Sequence, residues 1–162
     1  MIEVRLAEPA EYAAVGDLTA QGYLADGALP PEDPYYDLLR NAAGRAAEAE
    51  LWVAVDDGVL LGTVTCCPPG SPYRELATDA EGEFRALAVA PEARGRGIGR
   101  LLVERCLERA AATGSTGVVI STAEWMHAAH RLYARLGFVA DPARDWSPRD
   151  GIRLRAFVRD LP

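Results

Sequence analysis

Alternating apolar and polar residues predict β-strands at both ends of the chain. The segments "IEVRLA" and "IRLRAFVRDL" show this alternation, which is typical of half-buried strands. The segment "LWVAVDDGVLLGTVTCC" has apolar runs on either side of Asp57-Gly58, a dipeptide typical of two-residue turns, and predicts a β-hairpin. The mostly apolar segments "EFRALAV" and "VVIST" predict buried strands, and "GFVAD" begins another.

Apolar residues at helical spacing predict four helices. The first two lie in "EPAEYAAVGDLTAQGYLAD" and "YYDLLRNAAGRAAEAE", and Gly44 weakens the second. A third begins at Ile98, and the fourth is "WMHAAHRLYARL", with apolar side chains at i, i+3, i+4 and i+7. The segments "GALPPEDP", "PPGSPYRELATDAEG" and "PARDWSPRDG" are predicted to be loops.

The predicted order is β-α-α-β-β-β-α-β-α-β-β, a mixed α+β arrangement with antiparallel hairpins around one β-α-β crossover. The length of 162 residues suits a single domain, residues 1–162. No apolar stretch is long enough to cross a membrane, and the N-terminus lacks the pattern of a signal peptide. Three cysteines, an odd number, favour buried free thiols over a disulfide framework, so the expected localisation is cytoplasmic.

The distribution of charge limits the classes of partner. A formal net charge of −7 argues against nucleic-acid binding. The charge is uneven, because ten acids and only three arginines lie within the first 50 residues. An acidic first third and a basic turn in the middle of the chain predict two sites of opposite electrostatic character.

That basic turn lies in "VAPEARGRGIGRLLVERCLERAA", between a strand and the third helix. Residues 94–100 include three glycines and three arginines. Such a turn directs several backbone N–H groups one way, and the helix adds its unpaired donors and positive dipole end. A diphosphate is the natural ligand, and the alternative is a tight connection with exposed arginines. Walker A and dinucleotide-binding motifs do not fit, because Arg100 stands where either requires glycine.

Two segments resemble a known family. Arg94-x-x-Gly97-x-Gly99, after "EFRALAVAPEA" and before an apolar helix, resembles motif A of the GNAT superfamily of acyl-CoA-dependent N-acyltransferases. The segment "AAHRLYARLGF" is similar to the closing helix of that superfamily. The resemblance implies a central, mostly antiparallel twisted sheet of six to seven strands with about four helices. One departure is Met126, which stands where many members have a cofactor-contacting asparagine.

The resemblance implies acetyl-CoA as co-substrate and assigns residues to it. The pantetheine arm would pair with the backbone of the strand that ends in "LAV", and the diphosphate would lie on the glycine turn. One backbone N–H of that strand is also the candidate donor to the reacting oxygen. The implied binding residues are Leu87, Ala88, Val89, Arg94, Gly95, Arg96, Gly97, Ile98, Gly99 and Arg100.

The resemblance also implies two catalytic side chains. Tyr133 matches the usual general acid, which protonates the departing thiolate; the alternative is a core tyrosine with a bonded hydroxyl. Glu83 matches a glutamate that acts as base through water, and strict alternation places it on one face with Arg85, Leu87 and Val89. The alternative is a solvated or ion-paired glutamate.

Two histidines are further candidates for the base. His130 lies three residues before Tyr133, whereas His127 is expected to face solvent or a partner. Two histidines three apart, without a third ligand, do not indicate a metal site, and no metal is expected.

The acceptor is expected to be a primary amine of a small molecule or peptide. The segment "YLADGALPPEDPYYDLL" is rich in acids and aromatics, which favours a cationic acceptor, although a solvated acidic surface explains it equally well. Trp125, Trp146 and the "RDWSPRDG" loop are a second candidate wall. A homodimer is compatible with the scaffold. The alternative function is a non-catalytic acyl-CoA-binding or sensing domain.

Overall fold

The computed structural model describes residues 1–162 as one eight-stranded sheet with helices on both faces. Three short 3-10 turns connect some of the elements. The strands are β1 Ile2–Leu6, β2 Glu50–Asp56, β3 Val59–Cys67, β4 Glu81–Val89, β5 Gly117–Ala123, β6 Val139–Ala140, β7 Trp146–Arg149 and β8 Ile152–Asp160. The helices are α1 Tyr12–Asp26, α2 Tyr35–Arg40, α3 Ala42–Glu48, α4 Ile98–Ala112 and α5 His127–Arg135.

The sheet has the order β1-β2-β3-β4-β5-β8-β6, with β7 paired to β8 outside this path. All pairs are antiparallel except β4 and β5, which are parallel and joined through α4. The predicted mixed α+β fold with a mostly antiparallel sheet and a central β-α-β crossover is therefore confirmed. The strand count is eight rather than six to seven, and there are five α-helices rather than about four.

β4 and β5 separate after a short parallel ladder. They pair only from Glu81↔Gly117 to Glu83↔Val119, so the later part of β4 has no neighbour on that side. Ala86 has φ of 56°, an uncommon left-handed conformation for an alanine within a strand. A shift in the β3–β4 register lies opposite, between Thr63 and Thr65. This irregularity has the features of a β-bulge, which bends a strand and increases its local twist.

The bulge at Ala86 overturns the prediction of strict alternation along β4. Arg85 lies on the sheet face covered by α1–α3, because it pairs with Thr65, which accepts a hydrogen bond from the α3 residue Arg45. Leu87, only two residues later, packs instead against the core cluster under α4 and α5. The expected shared face of Glu83, Arg85, Leu87 and Val89 is therefore wrong.

Two further elements differ from the sequence prediction. The predicted second helix is two helices, because Asn41 leaves the helical conformation and its side chain accepts a hydrogen bond from Gly44 N at 3.0 Å as the N-cap of α3. The loop "PARDWSPRDG" contains strand β7, which forms a hairpin with β8. The signal for this hairpin was Asp150-Gly151, the same kind of turn dipeptide that marks the β2–β3 hairpin.

The largest core cluster lies between the sheet and the α4 and α5 face, and includes Leu102, Phe84 and Phe138. The expectation of three free cysteines is wrong. Cys66 of β3 faces Cys106 of α4 with Cα atoms 5.7 Å apart, and the two form a disulfide, whereas Cys67 is free and buried. The 40-residue separation of this pair gives no sequence signal, because only the packing of α4 on β3 brings it together.

Candidate active site

The separation of β4 from β5 opens two adjoining cavities. The larger, of about 640 Å³, follows the end of β4 and the glycine turn to α5 and is called here the donor cleft. The smaller, of about 360 Å³, lies between α1, α2, β5 and β8 and is called the acceptor cavity. They share one short wall, made of Tyr23, Leu87, Trp125, Met126 and Ala129. Met126, the departure from the family motif, is therefore at the junction.

The glycine turn presents unpaired donors to the donor cleft. None of the backbone N–H groups from Gly95 to Arg100 donates to another backbone group. Gly95 and Gly97 have φ of 78° and 79°, and a Cβ added at either would meet nothing within 4 Å. The turn is thus an open concave row of amides at the N-terminus of a 15-residue helix, which is the geometry that favours a phosphate group.

The arginines near the turn divide into two groups. Arg94 and Arg135 line the cleft and form no ion pair within the protein, and Arg135 was not predicted because no local pattern distinguishes it. Arg96 pairs with Asp56 at 3.1 Å and does not line the cleft. Arg100 lines the cleft and also pairs with Glu104 at 2.8 Å.

The end of β4 offers backbone groups to both cavities. Leu87, Ala88 and Val89, the strand positions predicted to pair with the pantetheine arm, line the donor cleft. Ala90 N donates to Leu61 O at 2.8 Å, across the edge that faces β3. Because successive N–H groups of a strand point to opposite edges, Leu87 and Val89 direct theirs towards the side where β5 has separated.

Tyr133 lies at the inner end of the acceptor cavity, next to the shared wall. The residue is 3% exposed, and its ring packs edge-on against Phe84 and in a tilted arrangement against Phe138, with centroids 5.8 and 5.7 Å away. Its hydroxyl makes no hydrogen bond within the protein. Burial raises the pKa of Tyr133, so the hydroxyl stays protonated at neutral pH. Tyr133 is therefore buried, but its hydroxyl lacks the protein partner that the alternative of a core tyrosine with a bonded hydroxyl expects.

Glu83 has a different environment from the one expected of a free base. Its carboxylate accepts hydrogen bonds from the backbone N–H groups of Glu75, Leu76 and Ala77 at 2.8 to 3.1 Å. The residue is buried and lines neither the donor cleft nor the acceptor cavity. These contacts give Glu83 a structural task, which is to hold the segment before β4 in place.

That segment places another carboxylate, Glu75, in the acceptor cavity. Burial raises the pKa of Glu75, an effect that Arg85 opposes and that Glu83 reinforces. Its side chain is 23% exposed and lies 3.6 Å from Arg85 Nη1. Sequence reasoning missed Glu75, because it belongs to a segment without periodicity or a recognisable motif.

The acids that suggested a cationic acceptor do not surround the acceptor cavity. Asp33 is paired with Arg149, and Asp26 lines the donor cleft instead. The cavity wall is mostly apolar, with Glu75, Arg85 and Arg149 as its charged members. The charge balance of the cavity therefore does not follow that of the segment "YLADGALPPEDPYYDLL".

The remaining candidates have separate positions. His130 Nε2 lies 3.0 Å from Ala123 O, and burial lowers the pKa of this histidine. His127 lines the donor cleft. Trp125 belongs to the shared wall, whereas Trp146 Nε1 donates to Ser121 Oγ at 2.9 Å. No group of three or more His, Cys, Asp or Glu side chains has the geometry of a metal site.

The free amides of the glycine turn and the buried tyrosine thus lie in adjoining cavities. The turn belongs to the segment that resembles motif A, and Tyr133 belongs to the segment that resembles the closing helix. The protein-family sequence model described as "Acetyltransferase (GNAT) family" matches residues 17–138 of this chain. The chain therefore belongs to the GNAT acetyltransferase family. None of its helices has the length and apolar character needed to cross a bilayer.

Comparison with individual proteins gives the same family. The chain is 37% identical over 108 residues to N-acetylaspartate synthetase of Rattus norvegicus, a match that covers 67% of this chain and 34% of that protein. The chain spans between 28% and 39% of the length of the curated relatives it matches.

Two solved structures show the similarity of the fold. A GCN5-related N-acetyltransferase from Kribbella flavida matches with a TM-score of 0.70 and 26% identity, over 99% of this chain and 98% of that one. PaiA N-acetyltransferase from Thermoplasma acidophilum, solved in complex with coenzyme A, matches with a TM-score of 0.75 and 14% identity over 99% of both chains.

Proposed function

We propose that this chain transfers the acetyl group of acetyl-CoA to the primary amine of a small acceptor. The observation that supports this most strongly is the pairing of two features across one shared wall. The glycine turn, whose backbone N–H groups from Gly95 to Arg100 are unpaired, lines the donor cleft at every residue of that range except Arg96, and Tyr133 with its unbonded hydroxyl lines the adjoining acceptor cavity. The family membership and the coenzyme A complex of a structural relative agree with this proposal.

The residues of the donor cleft fit acetyl-CoA. In the proposal, the amides of the glycine turn bind the diphosphate, and Arg94 and Arg135, which form no ion pair within the protein, add positive charge to a cleft that Asp26 also lines. The free backbone groups of Leu87 and Val89 bind the amides of the pantetheine arm, as a neighbouring strand would. One of their N–H groups also donates to the thioester carbonyl oxygen, where negative charge develops during attack.

Bound acetyl-CoA supplies an activated acetyl group, and side chains of the acceptor cavity move the protons. Glu75 accepts one proton from the acceptor ammonium, directly or through water, which frees the nitrogen lone pair for attack on the carbonyl carbon. As the new C–N bond forms and the C–S bond breaks, Tyr133 donates its hydroxyl proton to the sulfur. The second nitrogen proton then restores the Tyr133 hydroxyl. One proton is released to solvent in the complete reaction, and Glu83 acts only by holding the segment of Glu75.

The alternative function is a domain that binds acyl-CoA without chemistry. A ligand that binds the native state raises the thermal midpoint by mass action, so coenzyme A and acetyl-CoA should both stabilise the chain under either function. Release of free coenzyme A thiol in the presence of an amine separates the two, because only an enzyme produces it. Absence of stabilisation by either ligand would contradict both functions.

Tyr133→Phe tests the catalytic part of the proposal. The variant keeps the ring packing but loses the proton, so we expect kcat to fall by about 10²-fold while the stabilisation by coenzyme A stays close to that of the wild type. Tyr12→Phe, on α1 and outside both cavities, is the matched control and should keep wild-type turnover. Turnover of Tyr133→Phe at the wild-type rate would remove Tyr133 from the mechanism.

A further inference from the structure

The acceptor cavity contains an arginine whose pairing is incomplete. Arg85 immediately precedes the bulge at Ala86, and its side chain is 13% exposed. Its Nη1 donates to Tyr73 O at 3.2 Å, its Nη2 donates to the Tyr35 hydroxyl at 3.4 Å, and its buried Nε has no partner. The single carboxylate nearby, that of Glu75, is 3.6 Å away.

Other arginines of this chain show what complete pairing looks like. Arg109 donates from Nε and Nη2 to both oxygens of Glu50, each at 3.0 Å. Arg144 donates from Nη1 and Nη2 to both oxygens of Glu81 at 2.8 and 2.9 Å. A planar guanidinium matches a carboxylate in this forked manner. Arg85 lines the acceptor cavity without such a forked partner, whereas Arg149, the other arginine of the cavity wall, is already paired with Asp33.

A second buried arginine adds positive charge behind the cavity wall. Arg45 is fully buried and donates to Thr65 Oγ1 at 2.9 Å and to Leu39 O at 2.6 Å, with no carboxylate in contact. Burial lowers the pKa of Arg45, and repulsion between its charge and that of Arg85 adds to this effect. Arg45 touches no carboxylate, and Arg85 touches only that of Glu75, so a further negative charge beside these two guanidinium groups is stabilising in a region of low dielectric.

The rest of the cavity wall is suited to an apolar group. Its members beyond the shared wall include Leu29, Leu38, Ile120, Ile152 and Leu154. A volume of about 360 Å³ accommodates a small molecule.

We propose that the acceptor is an amino acid with an apolar side chain, and that Arg85 binds its carboxylate. This inference rests on the proposed function and names the substrate class of the same site. The carboxylate completes the pairing of the Arg85 guanidinium, the ammonium group lies towards Glu75 and Tyr133, and the side chain occupies the apolar wall. Arg85 is thus a residue that determines specificity, whereas the acidic and aromatic segment "YLADGALPPEDPYYDLL" favoured a cationic acceptor.

The test compares acceptors that differ only in the carboxylate. Coenzyme A release is measured with L-leucine against isoamylamine, with L-methionine against 3-(methylthio)propylamine, and with L-aspartate as a polar amino acid. A charge-assisted forked pair predicts that kcat/KM for each apolar amino acid exceeds that for its decarboxylated amine by about 10- to 100-fold. L-Aspartate should be a poorer acceptor than L-leucine.

Variants then assign this preference to one side chain. Arg85→Gln should bring the ratio close to one, mainly through a raised KM for the amino acid, and Arg85→Lys should give an intermediate ratio because it keeps the charge without the fork. If Arg85→Gln does not fold, Arg85→Lys alone still tests whether Arg85 binds the carboxylate. Arg109→Gln, which removes a surface arginine outside both cavities, is the control and should keep the wild-type ratio.

The outcomes separate this inference from the proposed function. Equal kcat/KM for amines and amino acids, a ratio that survives Arg85→Gln, or a preference for L-aspartate would overturn the inference and leave N-acetyl transfer in place. Binding of coenzyme A without thiol release from any acceptor of a broader amine panel would overturn the proposed enzymatic function, and this inference with it.

Discussion

Glu75 and Glu83 are neighbouring carboxylates with opposite surroundings. Three backbone N–H groups surround the carboxylate of Glu83, whereas Glu75 faces the acceptor cavity with only a 3.6 Å contact to Arg85. The carboxylate of Glu83 is thus engaged by the backbone, whereas burial raises the pKa of Glu75, which makes its ionised form a better proton acceptor. In the proposed mechanism, Glu83 therefore positions the segment before β4, and Glu75 accepts the proton.

Glu75→Gln should lower kcat and change its dependence on pH. Burial raises the pKa of Glu75 above its usual range, and the residue acts as a base only when ionised, so wild-type activity should fall as pH decreases through that raised pKa. The variant should be slow at every pH and lack this acid limb. Asp79→Asn, an exposed residue of the same segment, is the control and should keep the wild-type profile. An unchanged profile in Glu75→Gln would assign the proton to another group.

The positions of the residues that line the acceptor cavity could be predicted from the sequence only in part. Tyr133 could be predicted, because helical spacing places it on the buried face of α5 and a family motif includes it. Glu75 could not, since its segment has no periodicity and its position depends on the amides that Glu83 binds from the neighbouring strand. Arg85 was expected to share a face with Leu87, and the left-handed conformation of Ala86 breaks that alternation. No residue type in "EFRALAV" predicts such a bulge.

At the scale of elements, close contact between helices α1 and α2 holds the wall of the acceptor cavity. Gly16 of α1 lies against the carbonyl of Arg40 at the end of α2, and a Cβ at Gly16 would overlap with that carbonyl oxygen. Gly22 of the same helix has only the Ala88 side chain nearby, at 3.5 Å from a hypothetical Cβ. Replacing each glycine by alanine therefore distinguishes the effect of packing on stability from the effect of helix propensity.

Gly16→Ala should lower the free energy of unfolding by about 1–3 kcal/mol, because a backbone carbonyl cannot move aside as a flexible side chain can. Gly22→Ala should be neutral or raise it by up to about 1 kcal/mol, since alanine has the higher helix propensity and the contact is ordinary. Urea unfolding followed by circular dichroism measures both. Equal stability of Gly16→Ala and the wild type would show that α1 and α2 are not held at this distance.

Elements set by local signals could be predicted, and those set by distant partners could not. The β2–β3 hairpin and α4 follow from a turn dipeptide and helical spacing. Strand β7 is short and largely exposed, and it exists because β8 pairs with it. The end of the β4–β5 ladder after Glu83 is likewise a tertiary feature, although it creates both cavities.

At the scale of the whole molecule, net charge and site charge have opposite signs. The chain has a formal charge of −7, yet the donor cleft contains Arg94 and Arg135 without ion-pair partners, and the acceptor cavity contains Arg85. Many of the acids are paired elsewhere, as Asp33 is with Arg149. The net charge therefore gives no guide to the charge of a small-molecule ligand, which depends on the few groups that face the cavities.

The central claim is that the unpaired amides of the glycine turn bind the diphosphate of coenzyme A. Calorimetric titration of coenzyme A into Gly97→Ala and Gly70→Ala tests it, because both glycines have positive φ, 79° and 88°, with nothing within 4 Å of an added Cβ, and only Gly97 lies in the donor cleft. Both variants should lose similar stability from backbone strain. We predict that Gly97→Ala weakens coenzyme A binding at least about tenfold, a loss comparable to one or two charge-assisted hydrogen bonds, while Gly70→Ala binds as the wild type does. Equal affinity of the two variants for coenzyme A would contradict the claim.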